Sequence, residues 1–391
     1  MSVRFAERMN RLGTETAFDV LVRARALEAQ GKDVIHLEVG EPDFDTPRNI
    51  IDAGAKALQS GWTHYGPAPG DAELRAAIST YINGSRGVSY TPEQVIVTPG
   101  GKPVMFFVLL ALLESGDEAI YPDPGFPIYR SMIDFSGAKA VPIPLREASG
   151  FTLDVDELVS LITEQTRLLI LNSPANPTGG VVPRTDLEKI ARLAVEHDLA
   201  VLSDEIYAEL IYDGEHVSIA SFPGMAERTV ILDGFSKTYA MTGWRLGYGL
   251  FPDDMVGAIS KLMINSASCT SVAVQRAGIE ALTGPQVEVD AFREAFRKRR
   301  ELVVDGLNAI DGLSCVLPKG AFYAFPNITG TGQTSKAFAD LLLNEYGVAA
   351  IAGTSFGEAG EGYLRLSYAN SEANLTRALE RIETAVRAVR V

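Results

Sequence analysis

The sequence contains few residues that could build a metal centre or a disulfide framework. Its 391 residues include only two cysteines and four histidines. Cys269 and Cys315 could form at most one disulfide, and two thiols are too few for a cysteine zinc site. The histidines, at positions 36, 64, 197 and 216, show neither an i, i+4 pair nor the H-E-x-x-H spacing. We therefore expect reduced thiols and no bound metal.

Positive charge and long apolar runs are also scarce. Lys and Arg number 35 against 50 Asp and Glu, so the formal net charge is −15, the wrong sign for a surface that binds nucleic acid. The longest apolar run, residues 104–113, is too short for a membrane span, which needs about 20 residues. Residues 1–10 contain three charges and no apolar stretch typical of a signal peptide. These features predict a cytoplasmic protein that binds neither nucleic acid nor membranes.

The sequence does contain a regular alternation of short apolar segments and amphipathic helical patterns. Between about residues 95 and 250, segments rich in Val, Ile and Leu alternate with helical stretches such as 187–196. This order is typical of βαβ units, in which helices cover a parallel sheet. The candidate strands are 94–98, 118–121, 140–143, 167–171, 200–203, 229–233 and, as a further possibility, 247–251. The pattern predicts an α/β domain with three layers and a mostly parallel central sheet.

The pattern changes beyond about residue 285. A long charged helix over 289–307 is followed by candidate strands at 320–325 and 363–367 and by a final helix over 374–389. This order indicates a smaller α+β domain. We therefore expect a large domain over 46–285 and a small domain formed by 1–45 and 286–391, joined by the long helix near 285.

Unusual side chains follow the first candidate strands, at the edge where open parallel sheets bind their ligands. Gly100, Gly101 and Lys102 come between the first strand and an apolar helix, and the free N–H groups of such a turn favour an anion. An ordinary glycine turn is the simpler interpretation of this segment alone. Phe126 follows the second strand and Asn176 the fourth.

The fifth and sixth candidate strands are followed by ionisable groups. Asp204 ends the fifth strand and Tyr207 lies just beyond it. A buried carboxylate needs a partner, and a cation or a protonated ring nitrogen is suitable. Ser236 and Lys237 follow the sixth strand, with Arg245 shortly after. A single lysine is usually a surface residue, but this one follows a buried strand.

One ligand accounts for all these groups. Pyridoxal 5'-phosphate has an aldehyde for a lysine, a ring nitrogen for a carboxylate, a phenolic oxygen for Asn and Tyr, and a phosphate for Gly N–H groups, Ser and Arg. The sequence also resembles the class I aminotransferases, which are fold-type-I pyridoxal phosphate enzymes, and most closely their bacterial aspartate-aminotransferase-like branch. The resemblance covers nearly the whole chain and is carried by G-E-P-D-F at 40–44, Y-G-P at 65–67, N-P-T-G at 176–179, D-E-I-Y at 204–207, S-K-T-Y-A-M-T-G-W-R at 236–245 and L-R-L-S-Y-A at 364–369.

The resemblance implies which residues are catalytic. Lys237 forms the Schiff base with the cofactor and then moves the proton between the substrate and the cofactor. Asp204 pairs with the protonated pyridine nitrogen. Tyr207 and Asn176 hydrogen-bond the phenolic oxygen of the cofactor, which makes its imine more reactive.

The resemblance also implies the remaining binding contacts. Ser236, Arg245 and the backbone of Gly101 and Lys102 hold the phosphate, while Phe126 lies against the cofactor ring. The substrate α-carboxylate binds Arg365 in a bidentate fork, next to Asn176 and the N–H of Gly40. Tyr65 reaches the phosphate of the neighbouring subunit, so the active unit is a homodimer.

These residues predict a transaminase that passes the amino group of an L-α-amino acid to a 2-oxo acid such as 2-oxoglutarate by a ping-pong Schiff-base mechanism. The resemblance favours aspartate or glutamate as the donor, because the similar aspartate aminotransferases offer the lysine of a G-G-K turn, here Lys102, to a distal carboxylate. Phe126 leaves broad, aromatic or aliphatic specificity open, because the acid-specific relatives tend to have Trp there. A pyridoxal phosphate lyase, decarboxylase or oxidase shares the same scaffold. A ligand-sensing regulator is disfavoured because the G-E-P-D-F motif at 40–44 leaves no room before it for a DNA-binding domain.

Overall fold

The computed structural model describes residues 3–390, so the first two residues and the last, which we assigned to the small domain, lie outside the described part. The helices are α1 (Thr16–Glu28), α2 (Arg48–Gln59), α3 (Ala72–Arg86), α4 (Lys102–Leu112), α5 (Ile128–Ser136), α6 (Val155–Leu161), α7 (Arg184–Glu196), α8 (Asp253–Ala267), α9 (Val272–Thr283), α10 (Val287–Asn308), α11 (Ser335–Tyr346) and α12 (Glu372–Val389). Over this part of the chain, no helix combines the length and apolarity that a bilayer crossing requires.

The strands are short and fall into three sheets. They are β1 (Ile35–His36), β2 (Val95–Thr98), β3 (Glu118–Asp123), β4 (Lys139–Pro144), β5 (Thr166–Asn172), β6 (Ala200–Asp204), β7 (Thr229–Gly234), β8 (Gly247–Leu250), β9 (Tyr323–Ala324), β10 (Val348–Ala349), β11 (Ile351–Ala352) and β12 (Leu364–Ser367). The seven strands from β2 to β8 form the central sheet in the order β2-β8-β7-β6-β5-β3-β4. The predicted α/β class with a mostly parallel sheet is therefore confirmed.

One strand of the central sheet runs against the others. β8 pairs antiparallel with both β2 and β7, whereas the pairs among β3, β4, β5, β6 and β7 are parallel. The sequence pattern indicated β8 as a strand but carried no sign of its direction. β5 and β7, which lie inside the sheet, are buried over nearly their whole length and consist mostly of apolar residues.

The central sheet is packed between two layers of helices. On one side lies a core that includes Val108 of α4 and Ile259 of α8. On the other side, one core includes Ile190 of α7 and a second includes Ile78 of α3. The helices hold the sheet between them. The segments that follow β5, β6 and β7 lie together at the carboxyl edge of the sheet, because these three strands are parallel neighbours.

A second unit follows the central sheet. The antiparallel sheet β11-β12-β9 and the parallel pair β1-β10 pack with α10, α11 and α12 around Phe296, Phe322, Phe338 and Leu375. The long helix that we predicted near 285 is α10. Ile35 of β1 belongs to the same core, so the amino-terminal segment returns to this unit. The division into domains at 46–285 and at 1–45 with 286–391 stays a proposal.

Candidate active site

A cavity of about 540 Å³ opens at the carboxyl edge of the central sheet. It brings together every site residue predicted from the sequence except Tyr65: Gly40, Gly101, Lys102, Phe126, Asn176, Asp204, Tyr207, Ser236, Lys237, Arg245 and Arg365. They come from the ends of five strands of the central sheet, β2, β3, β5, β6 and β7, and from two segments of the smaller unit. The two units therefore supply one site.

Lys237 supplies an amine to the cavity. It lies three residues beyond β7, and its Nζ donates a hydrogen bond to the carbonyl oxygen of Gly40 at 2.5 Å. Burial, followed by the positive charge of Arg365, lowers the pKa of Lys237 from 10.5 to about 8. The carboxylates of Glu41 and Glu15 oppose part of this effect. A substantial fraction of the amine is therefore neutral, and able to act as a nucleophile, at a pH slightly above neutrality.

Asp204 is the buried acid of the cavity. It is the last residue of β6, and burial raises its pKa from 3.8 to about 6. Two donors offset part of this rise: the phenolic hydroxyl of Tyr129 at 2.7 Å and the backbone N–H of Ile206 at 3.3 Å. A cationic group in the cavity would favour the charged form of this carboxylate still further.

Arg365 is the buried cation of the cavity. Its Nη1 donates to Oδ1 of Asn176 at 3.3 Å, and its Nη2 donates to the backbone oxygen of Glu38. The Arg365 Nε is buried without a hydrogen-bond partner among residues 3–390. The guanidinium lies 4.6 Å from the ring centroid of Tyr323. The Nε–H of Arg365 can therefore donate to an anion. A buried donor without a partner costs free energy, so an anion bound here would be stabilised.

Two tyrosines adjoin this arginine. The hydroxyls of Tyr207 and Tyr323 are 2.7 Å apart. Burial raises the pKa of both, so the phenols stay protonated and one of them donates to the other. One hydroxyl hydrogen is then left to donate to an acceptor in the cavity.

The glycine turn and Arg245 form a cradle for an anion. Gly100 has φ +90°, and a Cβ on it would lie 2.2 Å from Nη2 of Arg245. A Cβ on Gly247 of β8 would lie 2.5 Å from the backbone of Gly100. Only glycine therefore lets the turn lie against both neighbours. The N-terminus of α4, Ser236 and Arg245 then present donors to the same part of the cavity, as a phosphate requires.

Lys102 and Phe126 line the side of the cavity nearest the amino-terminal segment. The Nζ of Lys102 lies 5.6 Å from the ring centroid of Phe126 and forms an ion pair with Glu15. Phe126 in turn packs edge-to-face against Tyr129, with ring centroids 5.7 Å apart. The predicted lysine is thus in the cavity, but a carboxylate of the same chain already contacts it.

Tyr65 lies apart from the other predicted residues. Its side chain is 90% exposed, and it does not line the cavity. Its role in a neighbouring subunit stays a prediction.

Four residues around the cavity were not singled out from the sequence. Glu15 precedes α1, Glu38 follows β1, Tyr129 lies in α5 and Tyr323 in β9. None of them lies directly at the end of a strand of the central sheet, which was the signal for most of the others, and none lies in a motif that carried the resemblance. Tyr129 stands in a helical apolar pattern, where an aromatic residue is usually part of the core.

A second polar cluster is buried behind the cavity. Glu205 accepts from Nε of Arg86 at 3.1 Å and pairs with Nε2 of His216 at 2.8 Å, while Arg86 also contacts Asp233 at 3.2 Å. Burial opposes ionisation of Glu205, but His216 and then Arg86 outweigh it and lower its pKa to about 2. Through Arg86, the cluster connects Glu205, which follows Asp204, with Asp233 near the end of β7, shortly before Lys237.

The donor set fits pyridoxal phosphate. The glycine cradle and Arg245 match a phosphate, Asp204 matches a protonated ring nitrogen, the tyrosine hydroxyls match a phenolic oxygen, and Lys237 matches an aldehyde. A buried arginine with an unused Nε remains for a substrate carboxylate. One cofactor and one amino acid together thus account for these groups.

Comparison with known proteins agrees with this chemistry. Residues 32–382 match the sequence model of the family described as "Aminotransferase class I and II". The chain is 45% identical over 360 residues to the aspartate aminotransferase of Pyrococcus abyssi, covering 91% of this chain and 92% of that protein. It is 43% identical over 360 residues to aromatic-amino-acid aminotransferase 2 of Thermococcus litoralis, with the same coverage. The solved structure of Thermus thermophilus aspartate aminotransferase with maleate superposes with a TM-score of 0.94 at 40% identity, covering 98% of this chain and 100% of that one.

Proposed function

The chain belongs to the class I and II aminotransferases, which use pyridoxal phosphate, and from that premise we propose the roles of its cavity residues. Lys237 links covalently to the cofactor, Asp204 pairs with its ring nitrogen, and Asn176 and Tyr207 hydrogen-bond its phenolic oxygen. The cofactor supplies an electron sink that labilises the bonds at the substrate α-carbon. The observation that carries this assignment is the convergence of Lys237, Asp204 and Arg365 on one cavity.

The other cofactor contacts follow from the cradle. Ser236, Arg245 and the backbone of Gly101 and Lys102 hold the phosphate, because the helix N-terminus and the guanidinium both favour an anion. Phe126 lies against the cofactor ring. Together these contacts fix the cofactor before any substrate enters.

Lys237 also serves as the base of the reaction. Its lowered pKa of about 8 lets the amine, once free, take a proton from the substrate α-carbon and hand it on within the cavity. Arg365 binds the substrate α-carboxylate through its free donor capacity, with Asn176 beside it and the N–H of Gly40 nearby. The substrate is thereby held at its carboxylate while its α-carbon meets Lys237.

Aspartate and glutamate are the proposed amino donors, because the cavity contains a lysine that suits a second carboxylate. The proposed acceptor, 2-oxoglutarate, is likewise a dicarboxylate. Lys102 lines the cavity and can bind a distal carboxylate. The name of the Pyrococcus relative and the dicarboxylate in the Thermus structure support this choice. A second candidate, broad or aromatic specificity, is favoured by the ion pair that Lys102 makes with Glu15 and by the name of the Thermococcus relative.

The active unit in this proposal is a homodimer. Tyr65, which is 90% exposed and outside the cavity of its own chain, reaches the cofactor phosphate of the neighbouring subunit. The Y-G-P segment at 65–67, which the chain shares with the aminotransferases that it resembles, supports this contact.

A panel of amino donors tests the proposed function. The protein loaded with pyridoxal phosphate is incubated with 2-oxoglutarate and one donor, which is aspartate, alanine or phenylalanine. The amounts of glutamate, CO2 and ammonia formed are each measured. Glutamate formed in proportion to the consumed donor, fastest with aspartate, is the expected result. Release of CO2 or ammonia without glutamate would identify a decarboxylase or a lyase instead.

A further inference from the structure

The ion pair between Glu15 and Lys102 places opposite charges on one wall of the proposed substrate site. Both residues line the cavity, and their side chains are 16% and 49% exposed. We infer that Glu15 is a specificity-determining residue whose carboxylate takes the place of a substrate's distal carboxylate on Lys102. A neutral donor binds with the pair intact, whereas an acidic donor must displace Glu15. This inference rests on the proposed transaminase function.

The contacts of Glu15 allow such a displacement. Glu15 is the residue that caps α1, yet its side chain makes no hydrogen bond to the helix N-terminus. Over residues 3–390, Lys102 is its one side-chain hydrogen-bond partner. Moving the carboxylate away therefore breaks a single interaction, which a substrate carboxylate can replace on the same Nζ.

The surroundings of the pair also suit neutral side chains. Phe18 and Phe126 line the cavity beside the pair and offer apolar surface to an aliphatic or aromatic donor. With such a donor, Glu15 keeps Lys102 paired, so no unpartnered charge is enclosed.

The test compares the binding of two carboxylate ligands that do not react. Maleate carries two carboxylates, one for Arg365 and one for Lys102, whereas 3-phenylpropionate carries one carboxylate and a neutral ring. Their dissociation constants for the protein loaded with pyridoxal phosphate are measured by titration calorimetry in the wild type and in Glu15→Gln. We expect Glu15→Gln to bind maleate about fivefold more tightly, because the competing charge is gone, and 3-phenylpropionate no more tightly than the wild type does.

Two further variants separate this effect from a general change in charge. Glu41→Gln removes a carboxylate from the same cavity, but Glu41 contacts Thr242 rather than Lys102. It should change the ratio of the two constants by less than about twofold, because its charge is not opposite the distal site. In a Lys102→Met background, Glu15→Gln should no longer tighten maleate. The ratio of kcat/KM for aspartate over phenylalanine should follow the same order.

An unchanged ratio of dissociation constants in Glu15→Gln, or an equal change in Glu41→Gln, overturns the inference while leaving the proposed function intact. A wild-type protein that binds neither ligand overturns the proposed substrate site and the inference with it.

Discussion

Tyr129 donates its phenolic hydrogen to Oδ2 of Asp204 across 2.7 Å, and both side chains are buried. The donor comes from helix α5 and the acceptor from the end of strand β6, 75 residues apart in sequence. The bond favours the charged carboxylate, whose pKa burial raises to about 6. We therefore expect Tyr129 to be a positioning residue that acts through Asp204.

Tyr129→Phe should raise the pKa of Asp204 above about 6. In the wild type, the carboxyl of Asp204 is neutral below a pH of about 6 and charged above it. The affinity of the protein for the cationic pyridine ring of pyridoxal phosphate should therefore fall as the pH drops through about 6. The variant should lose affinity at a higher pH. Cofactor affinity measured against pH, in protein freed of its cofactor, checks the midpoint.

Tyr90→Phe is the matched control for this change. Tyr90 is equally buried, and its hydroxyl donates to the backbone of Thr229 at 3.1 Å, not to a group of the cavity. Its midpoint should equal that of the wild type. Equal midpoints in all three proteins would show that Tyr129 does not act on Asp204.

The site residues that the sequence predicted share one structural origin. Asn176, Asp204 and Lys237 follow neighbouring parallel strands, so sheet topology alone brings them to one edge. Arg365 comes from strand β12 of the other unit, and only the resemblance to the aminotransferases identified it.

The elements that the sequence did not predict have no local sequence pattern from which they could be predicted. Strands β1, β10 and β11 have two residues each, too few for a period of two to be visible. Glu15 lies just before a helix, where acidic residues are common because they favour the helix N-terminus. Its partner Lys102 is 87 residues away, so the sequence does not show that the two are paired. Such pairs become visible only when the tertiary structure joins their elements.

Tyr65 should serve the neighbouring subunit. Mixing Lys237→Ala subunits with Tyr65→Phe subunits puts both lesions in one site of a heterodimer and leaves its other site intact. The mixture should therefore recover activity, up to about a quarter of the wild-type rate if subunits exchange at random and equal amounts are mixed. Activity that stays at the sum of the two parents at every mixing ratio would mean that Tyr65 acts within its own chain.

Arg86→Met should destabilise the fold strongly. Arg86 is buried and contacts the carboxylates of Glu205, Glu209 and Asp233. Removing one partner of a buried charge network leaves uncompensated charge and costs about 3 to 5 kcal/mol. Urea denaturation, monitored by circular dichroism, gives the change in the free energy of unfolding.

Arg48→Met provides the comparison on the surface. Arg48 and Asp52 form an exposed i, i+4 pair in α2, and its loss should cost about 0.5 kcal/mol or less. A similar free-energy change in both variants would indicate that the Arg86 cluster adds little beyond a surface ion pair.

The central claim is that this chain moves an amino group from a donor onto its own bound cofactor, and a single-turnover reaction tests it most directly. Protein loaded with pyridoxal phosphate, in excess over trace free cofactor, is mixed with L-aspartate in the absence of any oxo acid. We predict that about one oxaloacetate is released per cavity, that no ammonia or CO2 appears in the first turnover, and that later addition of 2-oxoglutarate yields an equal amount of glutamate. Lys237→Ala should release none on the same timescale. Ammonia or CO2 released in place of oxaloacetate, or equal amounts of oxaloacetate from the Lys237→Ala variant, would contradict the claim.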